Sequence, residues 1–150
     1  MGLKDIIIPT AEVKLSDGSF AVRGLSLSDA VVLYRRHAGE LSALFDRFAT
    51  KPGQAVDPEE TVEVVVGLIE SAPYLVAEII SIAAGADSSD IEGFADIVAK
   101  MLNLPLGAQI DAVQKVGDLT FTSDMPPEKF VGLVLSVAGG AQRRTIAPAP

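Results

Sequence analysis

Residues 61–86 read TVEVVVGLIESAPYLVAEIISIAAGA, and the fold turns on whether this run is helix or strand. Val62, Val65, Val66 and Ile69 recur at helical spacing, while Val64 and Leu68 fall outside the centre of that stripe. Such a helix is apolar on more than one side, so it is buried or touches two things. The β-branched content also suits a buried strand at 62–69, which is the alternative reading. We read helices over about 58–70 and 72–84, with Ser71 and Pro73 marking a kink or a fresh helix start. Val64, Leu68, Leu75, Ile79, Ile80 and Ile82 cannot all face one core from two successive helices. Part of that surface is expected to meet a partner, and these six residues are the candidate binding site.

Upstream, VKLSDGSFAVR at 13–23 has the alternation of a β-hairpin, with Asp17-Gly18 as its two-residue loop and Gly18 at positive φ. That register pairs Leu15 with Phe20 and Val13 with Val22, placing all four on one face. A two-stranded hairpin needs a cover. It is expected to lie on a helical body or to pair with a neighbouring subunit. IIIP at 6–9 is read as a short edge strand, ended by Pro9.

Ser26 and Asp29 then have capping-box spacing and start a helix. Its stripe is Leu27, Val31, Tyr34, Ala38, Leu41, Phe45 and Phe48, which leaves Arg35, Arg36, Glu40 and Arg47 on a solvated face. Pro52, Gly53 and Pro58 place a loop and candidate hinge at 49–57. Downstream, Ser89 and Glu92 read as a second capping box ahead of a helix carrying Phe94, Val98, Met101 and Leu102. Ile110, Val113 and Val116 mark another helix, and Phe130, Leu133, Val134 and Val137 a last one. The expectation is a mostly α, multi-helix domain with an N-terminal β-hairpin, α+β by strict count. The hairpin occupies 1–25, the helical domain 26–141 and a flexible tail 142–150.

The totals narrow the function. With 20 acidic and 12 basic residues in 150, a formal charge of -8, the chain lacks the basic face a nucleic-acid binder needs. It has no Cys, so disulfides, thiolate nucleophiles and zinc-thiolate sites are excluded. The start lacks the apolar run of a secretory signal, because Pro9 and Glu12 interrupt it. Mean hydropathy is high at +0.37. Even so, Glu63, Glu70 and Glu78 punctuate the most apolar region, and no membrane span is expected. The apolar excess belongs in a core, an oligomer interface or a client contact.

Catalytic chemistry is not legible. The single histidine, His37, has neither Cys nor a second His beside it and is assigned no role. Glu59-Glu60 and the acids around Asp87 and Asp90 read as helix-terminal partners and caps, and Arg143-Arg144 as charges beyond a last helix. No phosphate loop, dinucleotide fingerprint, nucleophile elbow or zinc helix motif occurs. The chain is expected to be no enzyme and to need no cofactor or metal.

Three stretches in order carry a resemblance: FAVRGLSLSDAVVLYRRHAGELSALF (20–45), ESAPYLVAEIISIAAG (70–85) and LPLGAQIDAVQKVGDLTF (104–121), followed by a final helix. Together the chain resembles the small tail assembly chaperones of long-tailed bacteriophages, encoded just before the tape measure protein. The resemblance implies a mostly helical, non-enzymatic protein of the infected cell's cytoplasm, absent from the mature virion. It would bind and solubilise the tape measure protein until the tube polymerises around it, as a homo-oligomer, with the major tail tube protein as a further partner. Family members often also have a longer form made by ribosomal frameshifting. The competing reading is a structural subunit of the virion, a tail or connector protein.

Overall fold

The structure, a computed structural model, describes residues 2–42, 58–126, 129–130 and 132–137; the side chains of residues 58–62 and 64 lie outside that description. The expected loop at 49–57, the positions of Phe45 and Phe48 and the tail at 142–150 fall outside the described residues.

The architecture is mostly helical with an N-terminal antiparallel hairpin, as expected. A short 3-10 turn, Leu3–Asp5, precedes β1 (Thr10–Leu15) and β2 (Gly18–Arg23). There follow α1 (Leu27–Arg36), a helical stretch beginning at 38, α2 (Pro58–Ser71), α3 (Pro73–Ala83), α4 (Ile91–Leu102) and α5 (Leu106–Thr120). Residues 129–130 and 132–137 are again helical.

The run at 61–86 is helical throughout its first part, so the strand alternative at 62–69 fails. Pro73 makes a fresh start rather than a kink. Ala72 leaves the helical region at φ -142°, Pro73 takes the first helical position, and the two axes meet at 115°. Among the described residues no single helix is long and apolar enough to cross a membrane.

α3 is the centre of the molecule. Nine of its eleven residues are buried, and it touches α1, α2, α4, α5 and β2. An element covered on all sides has no solvated face to mark with charge, which explains its nearly uniform apolar composition.

The hairpin leans on this helical body. Val13 and Val22 are fully buried in the same core as Leu75, Val76, Ile80, Ala112 and Val116, and both strands pack on α5. Lys115 on α5 donates to the Glu12 carbonyl at 2.6 Å and pairs with Asp111 at 2.8 Å. The register differs from expectation: Val13 opposes Phe20, Ala11 opposes Val22 and Leu15 opposes Gly18, so the loop is Ser16-Asp17. This is a slip of two positions. Because side chains alternate with period two, an even slip leaves the same residues on the buried face, and the apolar pattern cannot detect it.

Gly18 accordingly begins β2 without a positive φ, and a Cβ added there meets nothing within 4 Å. Gly18→Val is therefore expected to change stability by less than about 0.5 kcal/mol, since it neither strains the backbone nor fills occupied space. Urea melts of the two proteins should overlay. The edge strand expected at 6–9 is also absent: Ile6–Ile8 belong to no strand, and the sheet has two strands among the described residues. Ile6, Ile7 and Ile8, with Leu3, stay largely exposed.

The capping box of α1 forms as read: the Asp29 amide donates to Ser26 Oγ and the Ser26 amide to Asp29 Oδ2. The helix does not run on as one piece. It stops at Arg36, His37 sits at φ -133° and ψ 43°, and helix resumes at residue 38. Of the expected stripe, Val31 and Leu41 are buried and Tyr34 is half-buried, whereas Leu27 and Ala38 are exposed, and Ala30 and Leu33 are buried beside them. The cap of α4 also shifts by one residue. Asp90, not Ser89, accepts from the Gly93 amide, while Ser89 donates to Asp87. A smaller cluster joins Ala30 and Tyr34 to Phe121, Met125, Phe130 and Val134, with the Phe121 and Phe130 rings edge to face at 5.5 Å. It fastens the last helical segment to α1.

Candidate functional site

In α3, Leu75, Glu78, Ile79 and Ile82 follow one another at spacings of three, one and three, the pattern of a single helical face. Glu78 is thus a carboxylate set in an apolar stripe, and its side chain is 6% exposed. An ionised group so buried must be paired and hydrogen-bonded.

The pairing comes from the end of α1. Arg36 donates to Glu78 Oε1 through Nε at 3.0 Å and Nη2 at 2.5 Å, and the His37 Nε2 meets Oε2. The Arg36 guanidinium lies over the Phe94 ring of α4, 5.7 Å from its centre, so a cation–π contact holds its other side. Arg36 is half exposed and His37 mostly covered. The helix break is what brings two consecutive residues to one carboxylate: in an unbroken helix they would point about 100° apart.

A second tie joins the other end of α1 to the same helix. Arg23, last in β2, donates to Asp29 Oδ2 at 2.6 Å and to the Ile82 carbonyl at 3.3 Å. Guanidinium groups therefore fix α1 at both ends.

Burial alone would raise the Glu78 carboxyl, but hydrogen bonds from Arg36 and His37, with their charges, outweigh it and hold the group below its usual range. A carboxyl lowered on folding contributes stability that is complete above the ordinary carboxylate range and lost as pH falls through the lowered value. Urea midpoints measured from neutral to acid pH should show this limb. Glu78→Gln should flatten it.

Of the six candidate binding residues, Leu75, Ile79, Ile80 and Ile82 are buried in the chain's own core and Leu68 packs half-buried against it. The Val64 side chain lies outside the described residues. Two helices bent by 115° wrap their apolar sides around several neighbours, so one core accommodates what a straight pair would leave exposed. The four buried residues offer a partner no surface unless a covering element moves.

The ion cluster is not legible in the sequence pattern. Arg36 falls off the apolar stripe of α1 and His37 belongs to no motif, yet both hold the buried carboxylate. The signal available is Glu78 itself, at an inward position of an apolar stripe, and the adjacent Arg35, Arg36 and His37 upstream. Elsewhere, large aliphatic side chains stay exposed at Leu3 and Ile6–Ile8, and at Leu133, Leu135 and Val137 on the last helical segment. Among the described residues no cluster of three or more His, Asp or Glu is arranged to hold a metal ion. Arg143-Arg144 lie outside the described residues.

Compared with known proteins, the sequence matches the family model described as Pre-tape measure protein over residues 1–149. Neither the curated proteins nor the solved structures contain a significant match.

Proposed function

Because the chain belongs to the pre-tape measure family and so to the tail-assembly proteins of bacteriophages, we propose that it is a tail assembly chaperone that binds and solubilises the tape measure protein. In this reading it works in the host cytoplasm as a homo-oligomer, has no enzymatic activity and is left out of the finished virion. The tail tube protein, which displaces it from the tape measure protein, is a further partner.

The observation that carries the reading is family membership over almost the entire chain, joined to aliphatic surface at both ends of the described structure. Leu3 is 87% and Ile7 88% exposed, and Leu133, Leu135 and Val137 share one short segment. Such groups of large apolar side chains mark contact surfaces rather than a finished monomer exterior. An amphipathic segment laid on apolar surface is held by side-chain anchors and needs few hydrogen bonds, which suits a long helical client.

Co-expression with the tape measure protein tests the proposal. The client should move from the pellet to the soluble fraction and co-purify with this chain, and mass spectrometry of purified particles should not find the chain. Its presence in particles at a fixed copy number would instead make it a structural subunit of the virion.

A further inference from the structure

The hairpin has two outer edges, and the fold closes one of them. Leu15 and Gly18 flank a two-residue loop and so form a hydrogen-bonded pair, after which bonded and non-bonded pairs alternate. The main-chain groups of Glu12 and Lys14 on β1, and of Ser19 and Ala21 on β2, therefore point away from the ladder. On β1, Lys115 occupies the Glu12 carbonyl at 2.6 Å. On β2, the main-chain groups of Ser19 and Ala21 have no partner outside the ladder among the described residues, and both residues are exposed. Between Gly18 and Val22 there is no lysine, proline or other charge, the devices that keep an edge from taking another strand.

Ile6, Ile7 and Ile8 are largely exposed and belong to no strand, and the amides of Ile7 and Ile8 have no acceptor among the described residues. This β-branched triplet suits a strand but cannot pair with its own hairpin. Only Pro9 separates it from β1, fewer than the two residues a hairpin loop needs. The far edge of β2 lies two strand spacings from β1, about 9.6 Å, whereas Ile8 stands two residues from Thr10 and reaches at most about 7 Å. We propose that residues 6–8 of a second copy add to the open edge of β2 as a third strand, and that reciprocal exchange closes a dimer. Charge selects this contact: copies that each carry a net charge of -8 repel, while the triplet and the edge at 18–22 are both uncharged. The exchange assigns the N-terminal aliphatic group to self-association and leaves Leu133, Leu135 and Val137 for a client. That last assignment rests on the chaperone reading; the exchange does not.

Amide hydrogen exchange on the full-length protein at about 100 micromolar tests the exchange of strands. Ile7→Pro/Ile8→Pro keeps apolar surface at an exposed, unpaired place but removes both N–H groups, so a contact made by side chains alone would survive it. The Ser19 and Ala21 amides should exchange about tenfold or more faster in this variant than in the parent, with the Val116 amide in the core unchanged. Light scattering should find a dimer for the parent and for Ile7→Val/Ile8→Val, and a monomer for the proline variant. Because the chain has no cysteine, Ile7→Cys in one tagged copy should cross-link to Ala21→Cys in another about tenfold faster than to Lys14→Cys on the closed edge. A monomeric parent, unchanged exchange at Ser19 and Ala21 in the proline variant, or equal cross-linking to both edges overturns the proposal. Each does so whether or not the chain solubilises the tape measure protein, which tests the chaperone reading separately. Protection at Ser19 and Ala21 that appears only on adding the tape measure protein gives the edge to a client strand and overturns the second copy as its occupant.

Discussion

Ile80→Gln is expected to lower the thermal midpoint by about 10–15 °C, corresponding to about 4 kcal/mol for a chain of this size. Ile80 is fully buried on the helix that every neighbouring helix touches, among Leu75, Val76 and Ala77. The substitution removes an apolar side chain worth roughly 2–3 kcal/mol and introduces an amide with no partner in reach, adding roughly 1–3 kcal/mol. Both changes act at the centre of the fold, so the loss should appear together in far-ultraviolet circular dichroism and in near-ultraviolet tyrosine signals. A folded Ile80→Gln protein with an unchanged midpoint would mean that α3 is not the core helix described above.

Gly24→Ala is expected to cost roughly 2–3 kcal/mol, an overpacking effect. A Cβ at this position would lie 2.6 Å from the Leu119 carbonyl oxygen and 2.8 Å from its carbon, and both atoms are backbone. No rotamer relieves the contact. The chain at Gly24 must therefore lift from the end of α5, which breaks the 2.8 Å hydrogen bond from the Leu25 amide to Thr120 Oγ1. Thr120 also donates to the Val116 carbonyl, so the disturbance passes into α5. Chemical denaturation of Gly24→Ala should show a lower midpoint with an unchanged slope, and Thr120→Val should lose part of the same energy. If the alanine variant is as stable as the parent, the hairpin does not exit over α5 in this way.

The two glycines of the hairpin region make a useful contrast. Gly18 stands in a sequence that reads as a tight turn, yet it occupies ordinary strand space. Gly24 carries no turn signal, and its requirement comes from a carbonyl 95 residues away in the chain, beside Thr120. Local sequence cannot express a contact of that kind, because the neighbour that creates it is set by packing.

The ion cluster follows the same logic. Apolar spacing at 26–48 describes one continuous stripe, and that period alone does not break it at His37. The break serves a carboxylate supplied by α3, 41 residues further on. An amphipathic stripe reports which residues avoid water, but not which of several neighbours covers them, so Leu75, Ile79, Ile80 and Ile82 read equally as core or as contact surface until α2 and α3 are seen to bend around their partners.

What the amino-acid order settled without help is everything governed by short-range periodicity and capping. That includes the hairpin and its apolar face, the Ser26–Asp29 cap and an interruption at Ser71 to Pro73, while the choice of helix over strand at 62–69 and of a fresh start over a kink came from the structure. Tertiary packing alone decided the strand register, the break at His37 and the burial of the α3 stripe. Periods of 2 and 3.6 residues are properties of a single segment, and they are unchanged by an even register slip or by exchanging one covering element for another. Those choices depend on the free energy of bringing distant groups together, here a carboxylate to a guanidinium and an imidazole, and a carbonyl to a glycine.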